Sequence, residues 1–124
     1  MGKLIIAHDL GTTGNKATLF SEEGKIMASA FFGYETYFPD ALSVEQNAED
    51  YWQAVVCSTH QLLKRGRAKK EDIGVISFSG QMMGALPVDK NGQPLYRILI
   101  WADRRGVEEV EWVKERIEED RIYQ

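Results

Sequence analysis

The stretch that decides the fold is "IIAHDLGTTGNKATLF", residues 5–20. Apolar and β-branched residues on both sides of a Gly-Thr-Thr-Gly segment predict two strands joined by a sharp turn. A two-residue turn such as Asn-Gly is enough to reverse a chain between antiparallel strands. Residues 9–16, which we call the corner, carry in addition a carboxylate, hydroxyl groups and a lysine. The corner therefore contains more polar groups than the turn itself requires.

The residues of the corner admit two interpretations. In the first, backbone N–H groups beside the glycines and the hydroxyls of Thr12 and Thr13 hold a phosphate, and Lys16 adds a positive charge. Asp9, at the end of its strand, would then hold Mg²⁺ through water, because Mg²⁺ keeps much of its hydration shell. In the second, the Asp and Thr side chains bond only to their own backbone and stabilise a hairpin. The corner alone does not distinguish between the two.

The first half of the chain predicts an antiparallel meander followed by a helix. Strand patterns cover residues 4–8, 15–20 and 26–38, and the short turns between them place neighbouring strands side by side. Apolar residues then recur at spacings of three and four, which is typical of an amphipathic helix. Asn47 is its predicted N-cap, and Gly66 closes its predicted C-terminus.

The second half predicts further strands and one more helix. Residues 73–79 and 97–101 are apolar runs typical of buried strands, with a hairpin that turns at Asn91-Gly92 between them. An acidic-faced helix follows, to about residue 119. The predicted fold class is therefore α/β, with a mixed sheet that opens with a three-strand antiparallel meander.

Composition bounds the partners and the location. The 124 residues suit one domain, and the formal net charge of -4 argues against nucleic acid as a partner. The single cysteine, Cys57, forms no internal disulfide and predicts a reducing, cytoplasmic location. The start "MGKLII" lacks the apolar stretch of a signal peptide, and no run reaches membrane-spanning length, so we expect no membrane partner.

Four stretches of the sequence resemble the FGGY carbohydrate kinases, and most of all the xylulokinases. The corner is similar to the first phosphate motif of the superfamily that includes actin, the heat-shock chaperones and the sugar kinases. "VEQNAEDYWQA" (44–54) resembles the family's S-E-Q-x-P-E-x-W-W segment, and "SGQMMGA" (79–85) resembles its G-Q-M-H-G-A loop. "ILIWADRR" (98–105) is similar to its I-L-W-x-D-x-R strand end. The resemblance implies a ribonuclease-H-like domain of the actin-like ATPase superfamily, with residues 1–124 as the N-terminal portion of the sugar-binding lobe.

The same resemblance implies roles for individual residues. Asp9 would organise Mg²⁺ and phosphate at the reacting centre. The phosphates of ATP would be lined by five further residues of the corner: Gly11, Thr12, Thr13, Asn15 and Lys16. The sugar substrate would be lined by residues of the two later motifs: Gln81, Met82, Met83, Trp101 and Asp103.

Each of the sugar-facing residues also has a structural interpretation. From the residues alone, Met82 and Met83 are typical of a core, and Trp101 at a strand end is typical of packing. Asp103 has several candidate roles, which are binding sugar hydroxyls, pairing with a neighbouring arginine and capping the last helix. His8 lacks metal-ligand spacing and is interpreted as structural.

The chain departs from the xylulokinase pattern at two positions. Met83 stands where xylulokinases commonly have His, and Ala102 stands where Asn is usual. The loop does not resemble the Asn-Gln-Arg-Glu of glycerol kinases either, so a ketose is predicted ahead of glycerol. The resemblance as a whole implies D-xylulose as the acceptor, with another ketose, a polyol or glycerol as the alternative. The reaction that the resemblance implies is transfer of the γ-phosphate of ATP to the 5-hydroxyl, which gives D-xylulose 5-phosphate.

Parts of the family pattern have no counterpart in the chain. The family's catalytic base lies in a Gly-Gly-x-x-Asp motif, and nothing after Asp103 resembles it. The second, ATP-binding lobe is absent as well, so these residues alone are predicted to be inactive. The predicted partner is the missing C-terminal lobe or a second chain, with a homo-oligomer as the alternative. A non-enzymatic nucleotide-binding module of the actin or chaperone type explains the corner equally well, but not the later motifs.

Overall fold

The computed structural model describes residues 3–122 of the chain. In chain order its strands and helices are β1 (Leu4–Leu10), β2 (Gly14–Phe20), β3 (Ile26–Gly33), β4 (Glu45–Gln46), α1 (Ala48–Gly66), β5 (Ile73–Gly80), β6 (Ile98–Leu99) and α2 (Val107–Lys114). Short 3₁₀ turns lie at Lys70–Asp72 and Glu119–Arg121. None of the helices in this described part combines the length and the apolar character that a membrane crossing needs.

A four-stranded mixed sheet forms the centre of the domain. β1, β2 and β3 run antiparallel to one another in sequence order. β5 pairs with the other side of β1 in the parallel direction, so the order across the sheet is β3-β2-β1-β5. The predicted mixed sheet and its opening meander are confirmed.

Helix α1 covers one face of this sheet. Side chains along a strand alternate between the two faces, so every second residue of β1 and β2 points at the helix. The buried cluster on this side consists of Ile6, Ala17, Leu19, Ala30 and Leu62. The opposite face carries Asp9 and Lys16, which are exposed. The alternation therefore decides which residues of the corner reach solvent.

The C-terminal end of α1 differs from the prediction. Gly66 is still helical, and Arg67 takes the left-handed backbone conformation, with a φ of 50°. A Cβ at Gly66 would lie 2.5 Å from Cδ2 of the buried Leu19. The glycine is thus required for the close approach of α1 to β2, and not for the turn that ends the helix. At the other end Asn47 has extended backbone, but its side chain makes no capping hydrogen bond.

The two strands that were predicted to be buried are placed differently. β5 lies at the edge of the sheet, with Val75 54% and Phe78 57% exposed. Its apolar run is typical of a strand covered on both faces, but in the described part of the chain only β1 pairs with it. Of residues 97–101, only β6 is a strand, and it pairs with β4 in a separate two-stranded sheet.

The third strand and the predicted hairpin are shorter than expected. β3 ends at Gly33, and Tyr37 instead forms an isolated bridge with Glu45. The turn at Asn91-Gly92 is present, with Gly92 at a φ of 79°. The residues on either side of the turn form one isolated antiparallel bridge, between Val88 and Pro94, and not the two strands of the predicted hairpin.

The last helix is also shorter than predicted. α2 ends at Lys114 and not near residue 119. Its N-cap position is occupied by Gly106, so the capping role considered for Asp103 is wrong. Asp103 has other partners, which fix the segment between β6 and α2.

Candidate functional site

Asp9 lies near the end of β1, on the sheet face opposite α1, where it is exposed. The strand register places Lys16 of β2 on one side of it and Ser79 of β5 on the other. Asp9 takes part in none of the ion pairs found among residues 3–122. Its carboxylate is therefore available to a cation from solution, with a lysine and a hydroxyl in the same row.

The backbone carbonyls of the turn are held by groups inside the domain. Gly11 O accepts a hydrogen bond from the hydroxyl of Tyr34, and Thr12 O accepts one of 2.7 Å from Nε2 of Gln46. Thr13 O accepts a weaker bond of 3.4 Å from the backbone N–H of Tyr34. Burial raises the pKa of Tyr34, so its hydroxyl keeps the proton that it donates.

The N–H groups of the turn consequently point outward. In a trans peptide the C=O of one residue and the N–H of the next point in opposite directions, and residues 3–122 contain no cis bond. Because the carbonyls of Gly11 and Thr12 point inward, the N–H groups of Thr12 and Thr13 point away from the protein. Neither N–H donates to an acceptor in the described part of the chain. This arrangement suits an anion.

The two glycines of the turn have different structural roles. A Cβ at Gly14 would lie 2.6 Å from Phe32 O and 2.8 Å from the Cα of Gly33, so packing against β3 requires a glycine there. A Cβ at Gly11 would meet only Gly14 O, at an ordinary 3.6 Å. The fold does not require a glycine at position 11, and the absent side chain leaves the space above the turn open.

Residues 81–84, which we call the Met loop, follow β5 and are fixed to the corner. The N–H of Gln81 donates a 2.9 Å bond to Leu10 O. Its Nε2 donates to Oε1 of Gln46 at 2.9 Å and to the hydroxyl of Tyr51. Since Gln46 also holds Thr12, the loop and the corner share one hydrogen-bond network.

Met82 and Met83 project from this loop into solvent. They are 76% and 84% exposed, so their interpretation as core residues is wrong. Met83 has a φ of 61°, a left-handed conformation that is uncommon outside glycine. Strained backbone of this kind is found preferentially at functional sites.

Trp101 contacts the corner directly. Its Nε1 donates a 3.0 Å hydrogen bond to Oγ1 of Thr12. The indole is nevertheless 55% exposed, so most of the ring is open to a ligand. The structure thus brings together the two groups of predicted residues, those of the corner and those of the later motifs.

Asp103 is occupied by partners within the domain. Its Oδ2 accepts a 2.8 Å bond from the N–H of Val44, and both oxygens accept from the guanidinium of Arg105. Arg105 also donates a 2.6 Å bond to the buried Glu45. Its guanidinium holds the pKa of Asp103 and that of Glu45 below their ordinary values. Of the roles considered for Asp103, the pairing with Arg105 is the one observed.

Asn15 is the clearest correction among the predicted site residues. Its side chain is fully buried and faces α1. Nδ2 bonds to Nδ1 of His8 at 2.9 Å and donates to Oγ of Ser58 at 2.8 Å. Because side chains alternate along β2, Lys16 faces the open side and Asn15 does not. The Asn15 side chain therefore supports the core and cannot line a phosphate.

Four of the residues that hold the site together were given no role in the site by the sequence prediction. They are Tyr34, Glu45, Gln46 and Tyr51. The segment that contains Glu45 and Gln46 was noticed as a motif, but no role followed from it. A buried Glu-Gln pair before a helix was the available signal, since buried polar groups need partners.

Comparison with known proteins identifies related chains. Residues 4–124 match the model of the FGGY family of carbohydrate kinases, N-terminal domain. The chain is 36% identical over 123 residues to the gluconokinase of Bacillus subtilis (strain 168), covering 99% of this chain and 24% of that protein. It is 35% identical over 117 residues to the glycerol kinase of Bacillus mycoides (strain KBAB4), covering 94% of this chain and 24% of that protein.

A solved structure shows the same architecture. The ligand-bound xylulose kinase from Lactobacillus acidophilus matches with a TM-score of 0.84 and 29% identity, over 92% of this chain and 23% of that one. This likeness confirms the predicted ribonuclease-H-like fold of the actin-like ATPase superfamily. The chain spans about a quarter of the length of the curated relatives that it matches, since it covers 24% of them.

Proposed function

The chain belongs to the FGGY family of carbohydrate kinases, and on that premise we propose that it supplies part of the surface on which ATP phosphorylates a sugar or a related polyhydroxy compound. The observation that carries this proposal is the junction of the corner with the later motifs. Trp101 bonds to Thr12 at 3.0 Å, and the N–H of Gln81 bonds to Leu10 at 2.9 Å. A phosphate at the corner and a sugar between Trp101 and the Met loop would therefore be neighbours, as phosphoryl transfer requires.

The corner has the groups needed to hold phosphate and Mg²⁺. The outward N–H groups of Thr12 and Thr13 would donate to phosphate oxygens, and Lys16 would balance their charge. Asp9 would bind Mg²⁺ through its water shell, and bound Mg²⁺ neutralises charge on the phosphates during transfer. No cluster of three or more His, Cys, Asp or Glu side chains occurs among residues 3–122, so Asp9 would share the ion with water and phosphate oxygens.

The acceptor would lie against Trp101 and the Met loop. Two exposed methionines give an adaptable apolar wall, and the open indole gives a flat one. Gln81 would hold the loop, while Asp103 would contribute through Arg105 by fixing the segment that carries Trp101. Exchange of a methionine would then alter acceptor binding more than protein stability.

Two acceptors stand ahead of the others. D-xylulose follows from the motifs of the sequence and would yield D-xylulose 5-phosphate. D-gluconate is supported by the 36% identity to the Bacillus subtilis gluconokinase, while the departures of Met83 and Ala102 from the xylulokinase pattern count against D-xylulose. We place D-gluconate first, D-xylulose second and glycerol third.

The proposed partner is the remainder of a kinase of this family, joined to these residues or supplied by another chain. A catalytic base must lie within hydrogen-bond reach of the acceptor hydroxyl, and the family's motif for it does not occur in these residues. The first measurement is the intact mass of the purified protein together with any co-purifying chain. Residues 1–124 alone are expected to bind an acceptor without releasing ADP from ATP.

The binding experiment is a titration of the chain with each compound, followed by thermal unfolding. A ligand that binds only the folded state raises the unfolding temperature. D-gluconate or D-xylulose should stabilise the protein more than D-glucitol does, which has the six-carbon chain of D-gluconate without its carboxylate. Stabilisation by Mg-ADP alone, with no response to any sugar, would favour a non-enzymatic nucleotide-binding module instead.

A further inference from the structure

Gln46 occupies the centre of the network that joins the corner to the Met loop. Its side chain is fully buried, and its amide forms the full set of hydrogen bonds that it can make. Nε2 donates to Thr12 O and to Oγ1 of Thr36, both at 2.7 Å. Oε1 accepts from Nε2 of Gln81 at 2.9 Å and from the hydroxyl of Tyr51. The two donors and two acceptor sites of the amide are thus all used.

The orientation of this amide is determined by its partners. Thr12 O can only accept, so the nitrogen of Gln46 must face it. The oxygen then faces Gln81 and Tyr51, both of which offer protons. A flipped amide would place two acceptors against each other at the corner. A buried amide whose donors and acceptor sites are all used favours one rigid arrangement.

One peptide plane of the corner depends directly on this amide. Gln46 holds the carbonyl of Thr12 inward, and the trans geometry then directs the N–H of Thr13 outward. Tyr34 does the same for the preceding plane, because its hydroxyl holds Gly11 O and directs the N–H of Thr12. Tyr34, however, makes no hydrogen bond to Gln81, whereas Gln46 does.

We propose that Gln46 is a positioning residue that couples phosphate binding at the corner to sugar binding at the Met loop. The inference rests on the proposed function and adds to it a residue that touches neither ligand. The same amide directs the Thr13 N–H and holds the Gln81 side chain. A ligand that orders one end of this network therefore orders the other, and the two ligands bind cooperatively.

Three substitutions separate this role from a general structural one. Gln46→Glu keeps the shape of the side chain but removes the donor to Thr12 O. Tyr34→Phe removes only the hydroxyl that holds Gly11, and Tyr51→Phe removes only a hydroxyl on the Gln81 side. Both phenylalanine variants keep the stacked ring pair, whose centroids are 4.4 Å apart.

The test is a titration of the ¹⁵N-labelled chain of 124 residues, followed by NMR. The probes are inorganic phosphate and either D-gluconate or D-xylulose, whichever binds the wild-type chain. Gln46→Glu should weaken both probes about tenfold, in line with the loss of a buried hydrogen bond. Tyr34→Phe should weaken phosphate binding most, and Tyr51→Phe should weaken sugar binding more than phosphate binding. In the wild type each probe should strengthen the other, and in Gln46→Glu this cooperativity should disappear.

The possible outcomes distinguish the inference from the function on which it rests. Binding of both probes without cooperativity, or loss of only one probe in Gln46→Glu, would overturn the coupling and leave the proposed function intact. Failure of the wild-type chain to bind either probe would count against the proposed function and the coupling together. If Gln46→Glu does not fold, Tyr51→Phe decides the matter, because it must shift the amide resonance of Thr13 through Gln46. An unchanged Thr13 resonance would overturn the coupling.

Discussion

Nε1 of Trp101 donates a 3.0 Å hydrogen bond to Oγ1 of Thr12, which joins two residues that are 89 positions apart in the chain. Thr12 belongs to the turn between β1 and β2, and Trp101 follows β6. β1 and β2 belong to the four-stranded sheet and β6 to the two-stranded one, so the bond connects the side proposed for phosphate with the side proposed for the sugar. It also orients an indole that is otherwise largely exposed.

Removing this bond should weaken ligand binding without unfolding the protein. Trp101→Phe keeps a ring but loses the N–H, and we expect acceptor affinity to fall about threefold to tenfold, the usual worth of one hydrogen bond. Thr12→Val should have a similar effect, and the double variant should be no worse than either single one. Calorimetric titration measures the affinities. Trp112→Phe, which changes an indole that is 58% exposed on α2, is the control, and strictly additive losses in the double variant would contradict the direct link.

Asn15 and Lys16 offer a matched pair of neighbours on opposite faces of β2. Asn15→Ala removes a buried side chain that bonds to His8 and Ser58, and it should lower the free energy of unfolding by about 2 kcal/mol. Lys16→Ala changes an exposed side chain and should shift that free energy by no more than about 0.5 kcal/mol. Urea denaturation with a constant slope gives both values. Phosphate binding should show the reverse order, with only the lysine variant weakened, and equal losses of stability would contradict the placement of Asn15 in the core.

The buried histidine predicts how stability depends on pH. Burial lowers the pKa of His8 below its ordinary value of 6.5, although the bond to Asn15 opposes this. Between the lowered pKa and 6.5 the unfolded chain binds more protons than the folded one, so stability should fall as the pH drops through this window. Thermal unfolding across this range should show a smaller fall in His8→Gln than in the wild type. His60→Gln, which changes an exposed histidine, is the control, and a similar flattening in both variants would rule out His8 as the cause.

The left-handed backbone at Met83 should lower the free energy of unfolding, and we expect this residue to be kept because it contributes to acceptor binding. Met83→Gly removes the strain of a φ of 61° and should raise the free energy of unfolding by about 0.5–1 kcal/mol. The same change removes part of the proposed apolar wall, so acceptor affinity should fall at the same time. Met82→Gly is the matched control, since Met82 is also largely exposed but has no positive φ. This variant should not raise the free energy of unfolding. A stabilised Met83→Gly variant with unchanged acceptor affinity would remove Met83 from the site.

The role proposed for Asp9 leads us to expect that phosphate binding depends on Mg²⁺. Binding of ADP to the wild-type chain should weaken when Mg²⁺ is removed with a chelator, because the cation proposed at Asp9 would link its carboxylate to the phosphates. Asp9→Asn should bind ADP equally weakly with and without the metal. Asp50→Asn, a change in the first turn of α1, should behave like the wild type. Mg²⁺-dependent binding that persists in Asp9→Asn would place the metal elsewhere.

Much of the fold follows from local sequence patterns. The alternation in residues 5–20, the helical spacing before Gly66 and the apolar run of β5 each depend on neighbouring residues, so the meander, α1 and the mixed sheet were predictable. The exposure of β5 was not predictable. An apolar run indicates that a strand tends to be buried, but it does not show whether other elements cover the strand. The role of Gly66 was missed for a related reason, since a close contact with Leu19 leaves no trace in the local pattern.

The sequence by itself determined the corner, its polar groups and the family resemblance, because these are properties of residues close together in the chain. Only the tertiary structure decided that Asn15 belongs to the core, that Asp103 pairs with Arg105, and that Gln46 links Thr12 with Gln81. The partners of Gln46 lie 34 positions before it and 35 after it. No periodicity encodes such a contact. It forms because a buried amide must find hydrogen-bond partners wherever the folded chain brings them.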